Sequence, residues 1–212
     1  MKRGTSGIWF VIALIVLILP KASGQSISGI HVGDSRTAVE GLKLKSTAKE
    51  NQGSTEATKY KLANGNELSV TLDTQKNRVV YIEVDWNKNP EGAASDFPGL
   101  KFGLSTLEDI RKVDGSNGFS YQTTAMGESN GNLITFNAYR IENKPGIAVV
   151  FVTVLNIAEL RKKIGNREST QADVPGNLKL DALILADESY LDEIWGKEKS
   201  YDPANKPIKW NN

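Results

Sequence analysis

Two sets of three short runs along the chain alternate apolar and polar residues with the period of two that marks a half-buried strand. The first set covers residues 57–62, 67–72 and 78–86, the second 118–125, 133–141 and 147–155. Turn chemistry joins the runs: ANGN at 63–66, DTQKN at 73–77, SNGN at 129–132 and ENKPG at 142–146. Asn-Gly supplies the positive φ angles that tight hairpins demand. Ahead of each set the apolar spacing becomes helical. Asp34 or Ser35 can cap a helix carrying Val39 and Leu42. Ser105 precedes Leu107, Ile110 and Val113, with Glu108 and Asp109 in the first turn, where the helix dipole favours acids.

The two sets also share words. GIHVGDS at 29–35 returns as GLKFGLS at 99–105, and VVYIEV at 79–84 returns as VVFVTV at 149–154, both at an offset of seventy. The NGN at 64–66 recurs at 130–132, so the length differences fall in loops, which tolerate them. This predicts an α+β fold of two tandem copies, 25–95 and 96–156, each a helix followed by a three-stranded antiparallel meander. Gly29, Gly33, Gly99 and Gly103 are expected to be structural, at helix entrances that need positive φ or an approach too close for a Cβ. A C-terminal segment, 157–212, completes the chain. It reads as a helix over 156–164 begun by Asn156 and Glu159, a strand over 178–186 and a short helix over 189–195. The tail beyond is extended, and ordered only if Trp210 docks.

Alternation separates the strand faces. Leu68, Val70 and Leu72, then Val80, Ile82, Val84 and Trp86, then Ala148, Val150, Val152 and Val154 are expected to face the helices and form the core. The opposite face carries Tyr81, Glu83 and Asp85 in the first copy. In the second it carries Asn137, Tyr139, Phe151 and Thr153 beside Thr135. Rigid aromatics among Asn and Thr suit an interface. The alternative is burial of the same face against the other copy or under the C-terminal segment.

On GIHVGDS, GLKFGLS and the hairpins after them, residues 27–155 resemble the bacterial envelope domains of the SmpA/OmlA outer-membrane assembly lipoproteins and the β-lactamase inhibitory proteins. The resemblance implies a helix entering an antiparallel sheet, tandem in the inhibitors. It also implies contact with another protein in the envelope or outside the cell, and no catalysis. The chain departs from both groups in having no cysteine, hence no lipidated cysteine and no disulfide, and no inhibitory contact residue can be matched.

The first residues stand apart from this pattern. Lys2 and Arg3 precede a twelve-residue apolar run from Ile8 to Leu19, then Pro20 and the small residues Ala22, Ser23 and Gly24. This is the layout of a signal peptide over 1–24, cut before Gln25, with an uncleaved signal anchor as the alternative. Removing it changes the net charge from +1 to −2. Mixed charge of this size excludes the basic footprint of a nucleic-acid binder. The expected location is periplasmic or secreted and the expected partner another extracytoplasmic protein, with no nucleic acid and no membrane span after cleavage.

Candidate chemistry is sparse. Zero Cys and a single His exclude thiolate nucleophiles, thiolate zinc sites and histidine-rich metal sites; no cofactor or metal is expected and no catalytic residue is assigned. His31 occupies the variable middle of the shared heptapeptide and reads as a surface residue. Two acidic groups leave a second function open, a carboxylate-dependent hydrolase or carbohydrate-active protein. They are Glu83 with Asp85, two apart on one strand face, and the cluster from Asp187 to Glu193. The first expectation is a non-enzymatic protein-binding module; a purely structural role is the third.

Overall fold

The computed structural model describes residues 24–165, 170 and 173–210. The expected signal peptide, but for Gly24, lies outside them. Ser35 caps α1 (Arg36–Gly41) by accepting the Ala38 N–H. An antiparallel meander follows: β1 (Lys45–Gln52), β2 (Thr55–Lys61), β3 (Glu67–Asp73) and β4 (Arg78–Asp85). Thr106 caps α2 (Leu107–Asp114) in a reciprocal box with Asp109, and Gly115 ends it at φ 58°. Then come β5 (Phe119–Tyr121), β6 (Met126–Ser129), β7 (Asn132–Ile141), β8 (Lys144–Asn156), α3 (Ile157–Ile164), β9 (Lys179–Asp187), α4 (Glu188–Trp195) and β10 (Lys199–Tyr201).

Among the described residues the strands form one ten-stranded antiparallel sheet, ordered β1-β2-β3-β4-β9-β8-β7-β5-β10 with β6 on β7. This corrects the expectation of two helix-plus-three-strand copies. The strand from the C-terminal segment, β9, lies in the middle and pairs with β4 on one side and β8 on the other. The offset of seventy is also overturned. Val84 and Phe151 both lie opposite Leu183, so β4 and β8 are related across β9 by a different register. Val80 is not equivalent to Val150, nor Tyr81 to Phe151.

The two glycine segments instead share a docking role. The Gly33 N–H donates to the Val79 carbonyl at the start of β4, and the Gly103 N–H donates to the Leu180 carbonyl at the start of β9, both at 2.8 Å. The shared words thus describe how a chain enters a helix beside a strand start, not two whole units. All four glycines have positive φ: 78° at Gly29, 95° at Gly33, 82° at Gly99 and 73° at Gly103.

Both sheet faces are covered at the centre. One carries Val39 of α1, Ile110 of α2, and Phe97, Leu100 and Phe102 of the segment between β4 and α2, packed on Ile82, Val84, Val149, Phe151 and Tyr139. The other carries Leu191 and Trp195 of α4 on Val150, Val152, Ala182, Ile184 and Phe136. The expected single core face is therefore wrong. Ile82 and Val84 face α1 and α2, whereas Val150 and Val152 face α4. Residues 148–153 and 182–186 are buried without a break, because a strand with both faces covered has no wet side. A bulge in the β3–β4 ladder also turns Val79, not Val80, toward the α1 side. The tail is ordered: β10 pairs with β5, and Ile208 and Trp210 are buried against Ile141 and Phe97.

Candidate functional site

The expected binding residues do not share a face. Tyr139 and Phe151 are fully buried on the α1/α2 side, edge to face with ring centres 5.4 Å apart, and Phe151 also meets Phe97. Asn137 and Thr153 belong to the same layer. The Asn137 amide donates to Thr135 Oγ1, which shares a 2.7 Å hydrogen bond with Thr153 Oγ1, and Thr153 is fully buried. These four are core residues, so the proposed aromatic interface is withdrawn. Their polar atoms are paired along the sheet because buried hydroxyls must be.

Tyr81, Glu83 and Asp85 lie on the opposite, α4 side, half-buried. The Tyr81 hydroxyl donates to Glu83 Oε2 at 2.8 Å, and Tyr81 packs edge-on against Tyr190. Burial, then the neighbouring Asp85 charge, push the Glu83 carboxyl up to about 7, and burial raises Asp85 as well. A carboxyl poised there suits proton transfer. Yet neither residue lines any cavity described here, so the pair encloses no place for a scissile bond.

The Asp187–Glu193 cluster fastens α4. Asp187 caps the helix and accepts from Arg78; Glu188 takes Arg140 through both its oxygens and Lys199; Asp192 accepts from Tyr121 and Lys199. The Arg140 hydrogen bonds hold the Glu188 carboxyl down at about 2. His31 is half-exposed, its Nδ1 3.3 Å from Asp34 of the same loop.

A groove missed by the sequence reading opens where β4 ends, β9 begins and β8 runs into α3. Its volume is about 560 Å³, within the range of ligand sites. Trp86, expected in the core, forms one wall, and Val154, Leu155, Leu160 and Leu180 supply apolar surface. Trp86 lies so close over Gly103 that a Cβ there would stand 2.4 Å from the indole. The indole nitrogen is buried and has no hydrogen-bond acceptor. Three carboxamides share the groove. Asn156 donates to Asn132 at 3.1 Å, and Asn177 accepts from Lys163 at 2.7 Å. The cations are taken up: Lys179 pairs with Glu91 at 2.9 Å and Lys88 with Asp181, its ammonium 5.3 Å from the Trp86 ring centre. Burial lowers the Lys88 pKa. Turn and cap chemistry explains Asn132 and Asn156 in the sequence, and Trp86 ends a hydrophobic stripe, so no signal there points to a groove.

Among the described residues no cluster of three or more His, Cys, Asp and Glu side chains could hold a metal ion, and no helix is long and apolar enough to cross a membrane. No family model matches the chain, and no curated protein matches it. Among solved structures it is similar to an extracellular protein containing an SCP domain from Bacillus anthracis str. Ames. The identity is 11%, the TM-score 0.49 and the coverage 93% of this chain. The chain spans 57% of that protein's length, and no residue or role is carried over from it.

Proposed function

We propose that the protein is an exported, non-catalytic binding module that holds an extended segment of another protein in the Trp86 groove. The observation that carries this reading is the buried indole N–H of Trp86, which lacks an acceptor at the wall of the largest cavity described. A peptide carbonyl is such an acceptor. The carboxamides of Asn132, Asn156 and Asn177 carry the same donor and acceptor pair as a peptide bond. Lining lysines already paired with acids favour an uncharged backbone over an anion. Export rests on the charged start and apolar run of residues 2–19. The resemblance to envelope inhibitor domains implies the same kind of contact.

Selection from a displayed peptide library, followed by calorimetry, tests the proposal. A selected peptide loses roughly tenfold or more in affinity with Trp86→Ala, as a buried aromatic anchor should, and also weakens with Asn177→Ala. Selection of no peptide, or equal binding by both variants, would exclude the groove. The carboxylate-dependent hydrolase has one observation in its favour, the Glu83 carboxyl at about 7 beside Asp85. Glycosidase activity abolished by Glu83→Gln would support it over the binding role.

A further inference from the structure

A second cavity, about 330 Å³, lies between α2, β5 and β7 and the residues after β10. Arg111 lines it. The other described arginines that are not fully exposed, Arg36, Arg78 and Arg140, each pair with a carboxylate; Arg111 pairs with none. Its Nε is buried and has no hydrogen-bond partner. Two more buried atoms nearby are in the same state, Asp114 Oδ2 and the Tyr139 hydroxyl. Asp114 follows Arg111 by three residues and so shares its side of α2. Tyr139 is fully buried, and Gly118 of the cavity wall lies against the hydroxyl end of its ring, where a Cβ would come 3.0 Å from Cζ. The three groups sense one another: the Asp114 charge raises the Tyr139 pKa and Arg111 opposes the rise. Burial alone pushes the Asp114 carboxyl up to about 7. The walls are fixed, since Ser116 Oγ donates to the Lys206 carbonyl and accepts the Lys206 and Gly118 N–H groups.

An unpaired guanidinium with a buried Nε destabilises a protein unless something completes it. We propose that this cavity binds a small monocarboxylate. The guanidinium fork and the Tyr139 hydroxyl take the carboxylate oxygens, and Asp114 accepts from a hydroxyl or ammonium group on the adjacent carbon. A phosphate dianion fits less well, because Asp114 and Asp202 bring negative charge to the same place. The site is separate from the Trp86 groove and does not depend on its reading.

Thermal shift and calorimetry of the full chain with acetate, lactate and inorganic phosphate provide the test. Lactate should raise the melting temperature and bind more tightly than acetate, and phosphate should do neither. Arg111→Met should melt higher than wild type when ligand-free, because a buried unpaired charge is removed, and should show no lactate-induced shift. Tyr139→Phe keeps the packing and should weaken lactate binding roughly tenfold. The proposal is overturned if neither carboxylate binds, if phosphate binds as well as lactate, or if Arg111→Met keeps the lactate shift. It is also overturned if Arg111→Met melts lower or fails to fold, since the guanidinium would then be structural.

Discussion

Gly33 and Gly103 occupy matching docking positions but tolerate a side chain differently. A Cβ on Gly33 meets nothing within 4 Å, so Gly33→Ala carries only the strain of a positive φ, about 1 kcal/mol. On Gly103 the same atom strikes the Trp86 ring, so Gly103→Ala should destabilise by about 2–4 kcal/mol and displace the groove wall. Denaturant melts of the two variants should rank them in that order; equal losses would remove the close-approach argument. Glu83 carries a linked prediction. Its folded-state pKa, about 7, lies above its ordinary 4.5, so the native state binds the proton more tightly. The stabilisation is therefore full in acid and is lost as pH rises from about 4.5 through about 7, amounting to about 1–3 kcal/mol. Asp114, also raised to about 7, acts in the same window and direction. Wild type should melt higher at pH 5 than at pH 8, and Glu83→Gln should narrow the gap. An unchanged gap would place the effect elsewhere.

The helix α4 shows how an acidic run becomes a fastening between elements. Glu188 is shared by Arg140 of β7 and Lys199 of β10, and the Lys199 side chain is only 8% exposed. Glu188→Ala would leave two cations without their acid, one of them buried, and should destabilise by about 3 kcal/mol in calorimetry. A loss near zero would show the pair to be a solvent-screened ornament. The same scale explains what could be read in advance. β2, β3, β4, β7, β8, α3, β9 and α4 were legible because their alternation or cap chemistry is local. β1 was not, since KSTAKENQ has no apolar stripe and all eight residues are exposed along an edge paired on one side only. β6 is as polar, with four exposed residues. Edge strands are stabilised by their neighbour's backbone, which leaves no mark on side-chain pattern. The candidate site was largely illegible for a related reason. Asn137, Tyr139, Phe151 and Thr153 alternate away from Val150 and Val152, but with both faces of β8 covered, alternation no longer distinguishes core from surface.

At the scale of the molecule, the seam between β4 and β9 decides the architecture. Residues 25–95 expressed alone should not fold cooperatively, because Ile82 and Val84 would lose Leu183 and Leu185 and an apolar edge would be left unpaired. A sharp melt of that fragment would contradict the single-sheet account. The two cavities lie on this one sheet, the groove where β4, β9 and β8 meet α3 and the smaller site between α2 and β7, so each is held by elements distant in sequence. The groove's role as a peptide cradle rests on one atom, the indole nitrogen of Trp86. The most direct measurement is the nuclear magnetic resonance signal of that indole N–H, assigned with Trp86→Phe, during titration with a selected peptide. The account predicts a saturable downfield shift of this proton, accompanied by shifts in the Asn132, Asn156 and Asn177 carboxamides. Saturable binding that leaves these signals unmoved and perturbs Tyr81 and Glu83 instead would contradict it.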